Sequence, residues 1–156
     1  MKKLLLLLSF IGCIMFSSCE DNPTDAFTPI PVAQNKFLKA SVNGTAIMFD
    51  ETEVVKQLVT ENGVEYTDLY ITAKKKNDTS AQIIFKVEYM MPGTETCYYF
   101  LYNEGDREYD IETGNSFNVN VSSAAANHIK GSFSGTLKDF EGNEVTITNG
   151  NFDIAF

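Results

Sequence analysis

The side chains able to do chemistry in this chain are few, and their types narrow the reactions open to it. His128 is the single histidine, there are three cysteines and no tryptophan, and 21 acidic residues outnumber 12 basic ones. A Ser-His-Asp or Cys-His mechanism would have to run through His128, which stands beside Asn127 in a turn before a strand and reads as a solvated loop residue. Zinc sites take three or four suitable ligands. One histidine and Cys97, which reads as a small buried apolar residue beside Tyr98 and Tyr99, fall short of that. No phosphate-binding glycine loop, dinucleotide fingerprint or metalloprotease helix is present. The densest acid cluster is Glu104, Asp106, Glu108, Asp110 and Glu112, whose spacing of two would put the carboxylates on one face of a strand. Calcium takes several carboxylate oxygens, so Asp106, Glu108 and Asp110 are candidate ligands, although the EF-hand spacing is absent and an acidic solvent face explains the cluster equally. Nothing singles out one pair of acids as a glycosidase acid and base. The expectation is a non-enzymatic protein without a cofactor.

The aromatic residues are the more suggestive group. In Cys97-Tyr98-Tyr99-Phe100-Leu101-Tyr102, strand alternation sends Tyr98, Phe100 and Tyr102 to one face, and Tyr66 and Tyr70 have the same spacing on another strand. Tyrosine rings exposed on a sheet can stack on sugars or pack on a protein partner; the competing reading is a core layer with hydroxyls reaching the rim. The absence of tryptophan counts against sugars.

The elements that must position these rings are strands. From Phe37 onward apolar residues alternate with polar ones between frequent turn signals. Asn43-Gly44 and Asn62-Gly63 are tight hairpin turns, and Ala81, Ile83, Phe85, Val87 and Tyr89 alternate cleanly. Residues 50–60 read as strand, although Val54, Val55, Leu58 and Val59 have helical spacing and Asp50 with Glu53 would form a capping box. Residues 122–128, with three alanines, have room for one helical turn. Asn149-Gly150 is either a hairpin turn or a bulge that bends one long strand. The fold class expected is all-β: an antiparallel β-sandwich or flattened lipocalin-like barrel of about eight to ten strands, one domain over 37–156.

Before that domain lie an address and a tether. Lys2 and Lys3, the apolar run over 4–16 and Ser17-Ser18-Cys19 form a secretory signal, and a 13-residue run is too short to span a bilayer, which takes roughly 20. A cysteine directly after small residues resembles a bacterial lipoprotein signal, with cleavage after Ser18 and Cys19 lipidated. Cys13 is a rival acceptor, but cutting there would leave Ile14-Met15-Phe16 at the start, whereas Cys19 leads into the polar Glu20-Asp21-Asn22-Pro23. An ordinary signal on a secreted soluble protein is the other reading. Residues 19–36, with three of the four prolines, are then a lipidated N-terminus and flexible tether. Two or more acyl chains hold a protein stably at a membrane. Loss of residues 1–18 leaves 138 residues and moves the net charge from −9 to −11, which repels nucleic acid. With Cys19 lipidated, Cys97 has no disulfide partner.

Ile129-Lys130-Gly131-Ser132-Phe133-Ser134-Gly135-Thr136-Leu137, a glycine turn, and Ile147-Thr148-Asn149-Gly150-Asn151-Phe152 resemble the closing strands of a family of small Bacteroidota lipoproteins whose domain has no assigned function. Phe37, Ala40, Val42 and Asn43-Gly44 resemble that family's first hairpin, and the acidic pair after Cys19 resembles the surface-export signal of such lipoproteins. The resemblance implies a lipocalin-like fold on a lipid anchor and brings no catalytic or binding residues. Gly131 and Gly135, on the same face as Phe133, are expected to make room for its ring. The function expected is a cell-envelope domain, on the outer membrane and facing outward, that binds a glycan, peptide or partner protein. The alternative is a small inhibitor or immunity-type lipoprotein acting through its acidic face.

Overall fold

The computed structural model describes residues 36–111 and 116–156; the expected signal segment, Cys13, Cys19, the expected tether up to residue 35, and Glu112 fall outside them, while Lys36, assigned to the tether from sequence, opens the first strand. Ten strands follow in chain order: β1 Lys36–Val42, β2 Thr45–Phe49, β3 Glu51–Glu61, β4 Val64–Lys75, β5 Asp78–Glu88, β6 Cys97–Glu104, β7 Arg107–Asp110, β8 Asn118–Ala125, β9 His128–Lys138 and β10 Glu144–Ala155. All pair antiparallel in one sheet, ordered β2-β1-β10-β9-β7-β6-β5-β4-β3, with β8 on the edge of β9 beside β7. The hairpin turns form where Asn-Gly supplies two positive-φ residues: Asn43 and Gly44 at 47° and 82°, Asn62 and Gly63 at 52° and 80°.

The two ends of this order, β2 and β3, are consecutive in the chain and are joined through Asp50 alone. Chain connectivity therefore curls the sheet on itself, and β1 comes against β3 while β2 comes against β4. The product is one continuous curled antiparallel sheet, a half-barrel of the lipocalin-like or β-sandwich class. Asp50 fastens the corner by accepting from the Lys76 backbone N–H at 2.8 Å. Further along the opening, the Lys56 ammonium donates to the Ala126 carbonyl at 2.9 Å and lies 4.4 Å from the centroid of the Tyr89 ring. Residues 50–60 are strand because every position of β3 pairs with β4, from Glu51 with Lys74 to Glu61 with Val64. The helical turn expected over 122–128 does not form: Ala124 and Ala125 continue β8 by pairing with Ile129 and His128. Alanine's helix preference is worth only tenths of a kcal/mol, less than a completed hairpin ladder.

Inside the curl, Phe85, Phe100, Phe133 and Phe152 form one aromatic layer, with centroids 5.7 Å apart for Phe85–Phe100 and 5.1 Å for Phe100–Phe133. Each such ring contributes about 1.5–3 kcal/mol through burial. Glycines face these rings across the ladder. Gly150 pairs with Phe133 and Gly131 with Phe152, and a Cβ would lie 2.5 Å from the Phe133 ring at Gly150 and 2.4 Å from the Phe152 ring at Gly131. The partners thus differ from those expected: Gly150 makes room for Phe133 and Gly131 for Phe152, while Gly135 admits the backbone of Ser116 and Phe117. Asn149-Gly150 is a bulge, with Asn149 at φ 54° and the register shifting between Ile147 and Gly150.

Candidate functional site

The outer wall over β4, β5 and β6 carries four tyrosines, Tyr98 exposed and Tyr66, Tyr70 and Tyr99 half-buried. Along β4, Leu69, Ile71 and Ala73 face inward, so Tyr66, Asp68 and Tyr70 face out. Strand β5 presents Lys86 and Glu88 on the same side, with Tyr70 opposite Lys86 and Asp68 opposite Glu88. On β6, Lys86 pairs with Tyr99 but Val87 pairs with Cys97, so Tyr98 is an extra residue in a bulge.

That bulge corrects the expected aromatic face. Phe100 and Tyr102 are 1% and 0% exposed inside the curl, while Tyr98 is turned to the outer wall and is 54% exposed. Phe100 and Tyr102 are core and take no part in a surface site. Tyr98, Tyr66 and Tyr70 come together on the outer wall, joined by Tyr99. Sequence reasoning missed Tyr99, because its direction depends on a register shift that no local pattern records. It also missed Asp68, 3% exposed, whose signal was a lone charge in the otherwise uncharged run over 66–73.

The wall has two neighbouring rows. In one, the Lys86 ammonium lies between two rings, 5.5 Å from the centroid of Tyr70 and 5.1 Å from that of Tyr99. In the other, a shallow pocket of about 400 Å³ is lined by Glu61, Val64, Tyr66, Glu88 and Tyr98. The Tyr66 hydroxyl donates to Glu61 Oε2 at 3.1 Å, and the Tyr98 hydroxyl donates to Asp68 Oδ2. The other Asp68 oxygen is buried without a hydrogen-bond partner among the described residues. Burial raises the Tyr98 phenol above its ordinary pKa, and the hydrogen bond to Asp68 raises it further. Tyr66 is raised likewise, by burial first and then by Glu61. Clustered perturbed groups in a pocket mark a candidate site.

The remaining candidates are dispersed. Glu108 and Asp110 share the exposed face of β7 opposite the buried Tyr109, but Glu104 ends β6 on the other face and Asp106 lies in the β6–β7 turn, so the cluster does not line one strand. Among the described residues no three of His, Cys, Asp and Glu gather as metal ligands, and the calcium candidates Asp106, Glu108 and Asp110 are not brought together. His128 is not a solvated loop residue: it opens β9, half-buried, with Nε2 2.7 Å from Asp153 Oδ1, and Lys130 shares that carboxylate at 3.6 Å. Cys97 packs partly buried against the core, and burial pushes its thiol up to about 12.

No family model, curated protein or solved structure matches the chain.

Proposed function

We propose that the chain is a non-enzymatic, lipid-anchored β-domain of the cell envelope that captures a ligand, glycan or protein-borne, on its outer wall. The observation that carries this reading is the pocket between Tyr66 and Tyr98, where rings and carboxylates converge on a face that the core does not need. In this reading Cys19 bears the lipid, residues 20–35 form the tether, and the resemblance of the closing strands to small Bacteroidota lipoproteins supports an outer-membrane address. A tether lets the pocket sample the space beside the membrane without a dedicated partner subunit.

The anchor is tested by mass spectrometry of the native N-terminal peptide. Cleavage after Ser18 with acyl chains on Cys19 supports it; a free Cys19 thiol in native material overturns it. Recognition is tested by NMR of the full chain with labelled tyrosines, seven in number, screened against oligosaccharides and peptides. A ligand should shift Tyr66 and Tyr98 first, and Tyr98→Ala should remove binding. Ligands that bind without moving either resonance would place recognition elsewhere.

A further inference from the structure

Resting on that binding reading, we infer that the pocket bounded by Tyr66, Tyr98, Glu61 and Glu88 above the buried Asp68 is a site for an organic cation, an ammonium or guanidinium group.

Hydrogen-bond polarity comes first. Both phenol protons at the pocket are committed, Tyr66 to Glu61 and Tyr98 to Asp68, so each phenol oxygen is left with acceptor capacity only. With Glu61 and Glu88 carboxylates and the apolar Val64 completing the lining, the pocket side chains offer acceptors and no free donors. A sugar hydroxyl could donate here but would find no donor for its own oxygen, and an anion needs donors. An ammonium or guanidinium is all donor and adds the charge that the carboxylates complement.

The second observation is independent of the acids. Along the same wall the protein already holds an ammonium between two tyrosine rings, Lys86 over Tyr70 and Tyr99. Where β3 meets the β8–β9 turn it holds another, Lys56 over Tyr89 and Phe156 at 4.4 and 5.1 Å. The row at Tyr66 and Tyr98 repeats the rings and adds carboxylates. Yet among the described residues no lysine or arginine lies over Tyr66 or Tyr98, or pairs with Glu61, Glu88 or Asp68. Asp68 supplies the third observation: it is 3% exposed, has one oxygen without a partner, and sits beneath the Tyr98 hydroxyl. Buried negative charge under exposed ring faces raises the attraction for a cation that a ring alone would hold weakly. A volume of about 400 Å³ admits the end of a lysine or arginine side chain or a small diamine.

The test titrates the full chain with four probes while following labelled tyrosines: Nα-acetyl-arginine methylamide, Nα-acetyl-lysine methylamide, putrescine and a neutral oligosaccharide. The expected result is saturable binding of the cations at about millimolar concentration, moving Tyr66 and Tyr98 and leaving Tyr109 unmoved. Blocked amino acids binding more tightly than putrescine assign the cation to a peptide, and the reverse order assigns it to a free amine. Glu88→Gln, a change on the outer wall that leaves the core alone, should weaken binding about tenfold, and raising salt from about 50 to 500 mM should weaken the variant less than wild type, since Glu61 and Asp68 remain. An oligosaccharide that moves Tyr98 while no cation does would overturn the cation assignment and leave the binding function standing. If no probe or screened ligand moves either ring, both fall.

Discussion

Replacing Tyr98 by phenylalanine keeps the ring and deletes one hydroxyl, and its cost follows from what that hydroxyl does. Among the described residues it is the only side-chain hydrogen bond of Asp68, a carboxylate 3% exposed whose second oxygen has no partner there. A hydrogen bond to a charged group is worth about 1.5–3 kcal/mol net, so Tyr98→Phe should destabilise by about 2 kcal/mol. The phenol itself is more than half exposed, so little packing is lost with it. In an Asp68→Asn background the same change removes a neutral hydrogen bond and should cost about 1 kcal/mol or less, giving a coupling of about 1 kcal/mol in a double-mutant cycle. Urea unfolding followed by circular dichroism suits a chain without tryptophan. With a denaturant slope of about 1–3 kcal/mol/M, wild type and Tyr98→Phe should differ by about 1 M in midpoint at neutral pH. Asp68→Asn should also bring the raised Tyr98 phenol partway down, since burial is the larger cause and remains. Midpoints agreeing within about 0.2 M would mean that water already serves Asp68, and the pocket would lose its buried charge.

Three further outcomes are expected. Gly131→Ala and Gly150→Ala should each cost about 3 kcal/mol by chemical denaturation, because the new Cβ meets backbone oxygen at 2.3 and 2.4 Å as well as a ring, whereas Gly142→Ala, at φ 83° with open space around it, should cost about 1 kcal/mol; equal costs at all three would show that the rings move aside freely. Burial, with Glu104 next, pushes Tyr102 from 10.0 up to about 12, and burial pushes Cys97 from 9.0 up to about 12, so both are neutral in the fold where the unfolded chain would ionise them. Their contribution is complete below pH 9 and is lost as pH rises toward 12, so ellipticity should collapse in that interval with a late step in phenolate absorbance; seven phenols titrating near pH 10 with the fold intact would contradict it. Deleting Tyr98 together with Asp68→Asn should restore a regular β5–β6 ladder and keep the melting temperature within about 5 °C, while ligand binding at the pocket disappears.

What could be read from the sequence was whatever is written locally. Alternation over 81–89 gave β5 its inner face, and Asn43-Gly44 and Asn62-Gly63 gave two hairpins, because backbone sterics alone decide which residues tolerate positive φ. Tyr66 and Tyr70 could be paired by their spacing for the same reason. The direction of Tyr98 could not, since a bulge exists only between two strands and its position depends on how β6 registers against β5. The same non-locality hid which phenylalanine each glycine accommodates, and that Lys86 rather than a ligand stands between Tyr70 and Tyr99. Residues 97–102 are apolar on both sides, so alternation there could not tell wall from core.

The bulge is also where folding and function separate. With Cys97 opposite Val87 and Tyr99 opposite Lys86, the ladder would close regularly without residue 98, and Phe100 and Tyr102 would still point inward. The extra residue thus contributes nothing to the aromatic layer, interrupts ladder pairing, and sets a large ring on a wall where it is more than half exposed. Asp68 beneath it has a similar balance: a buried carboxylate with one unmet oxygen is a cost that an apolar residue at that position would avoid. Two departures from what a stable half-barrel requires, on the strands either side of β5 and bonded to each other, are the costs that the proposed binding wall would account for.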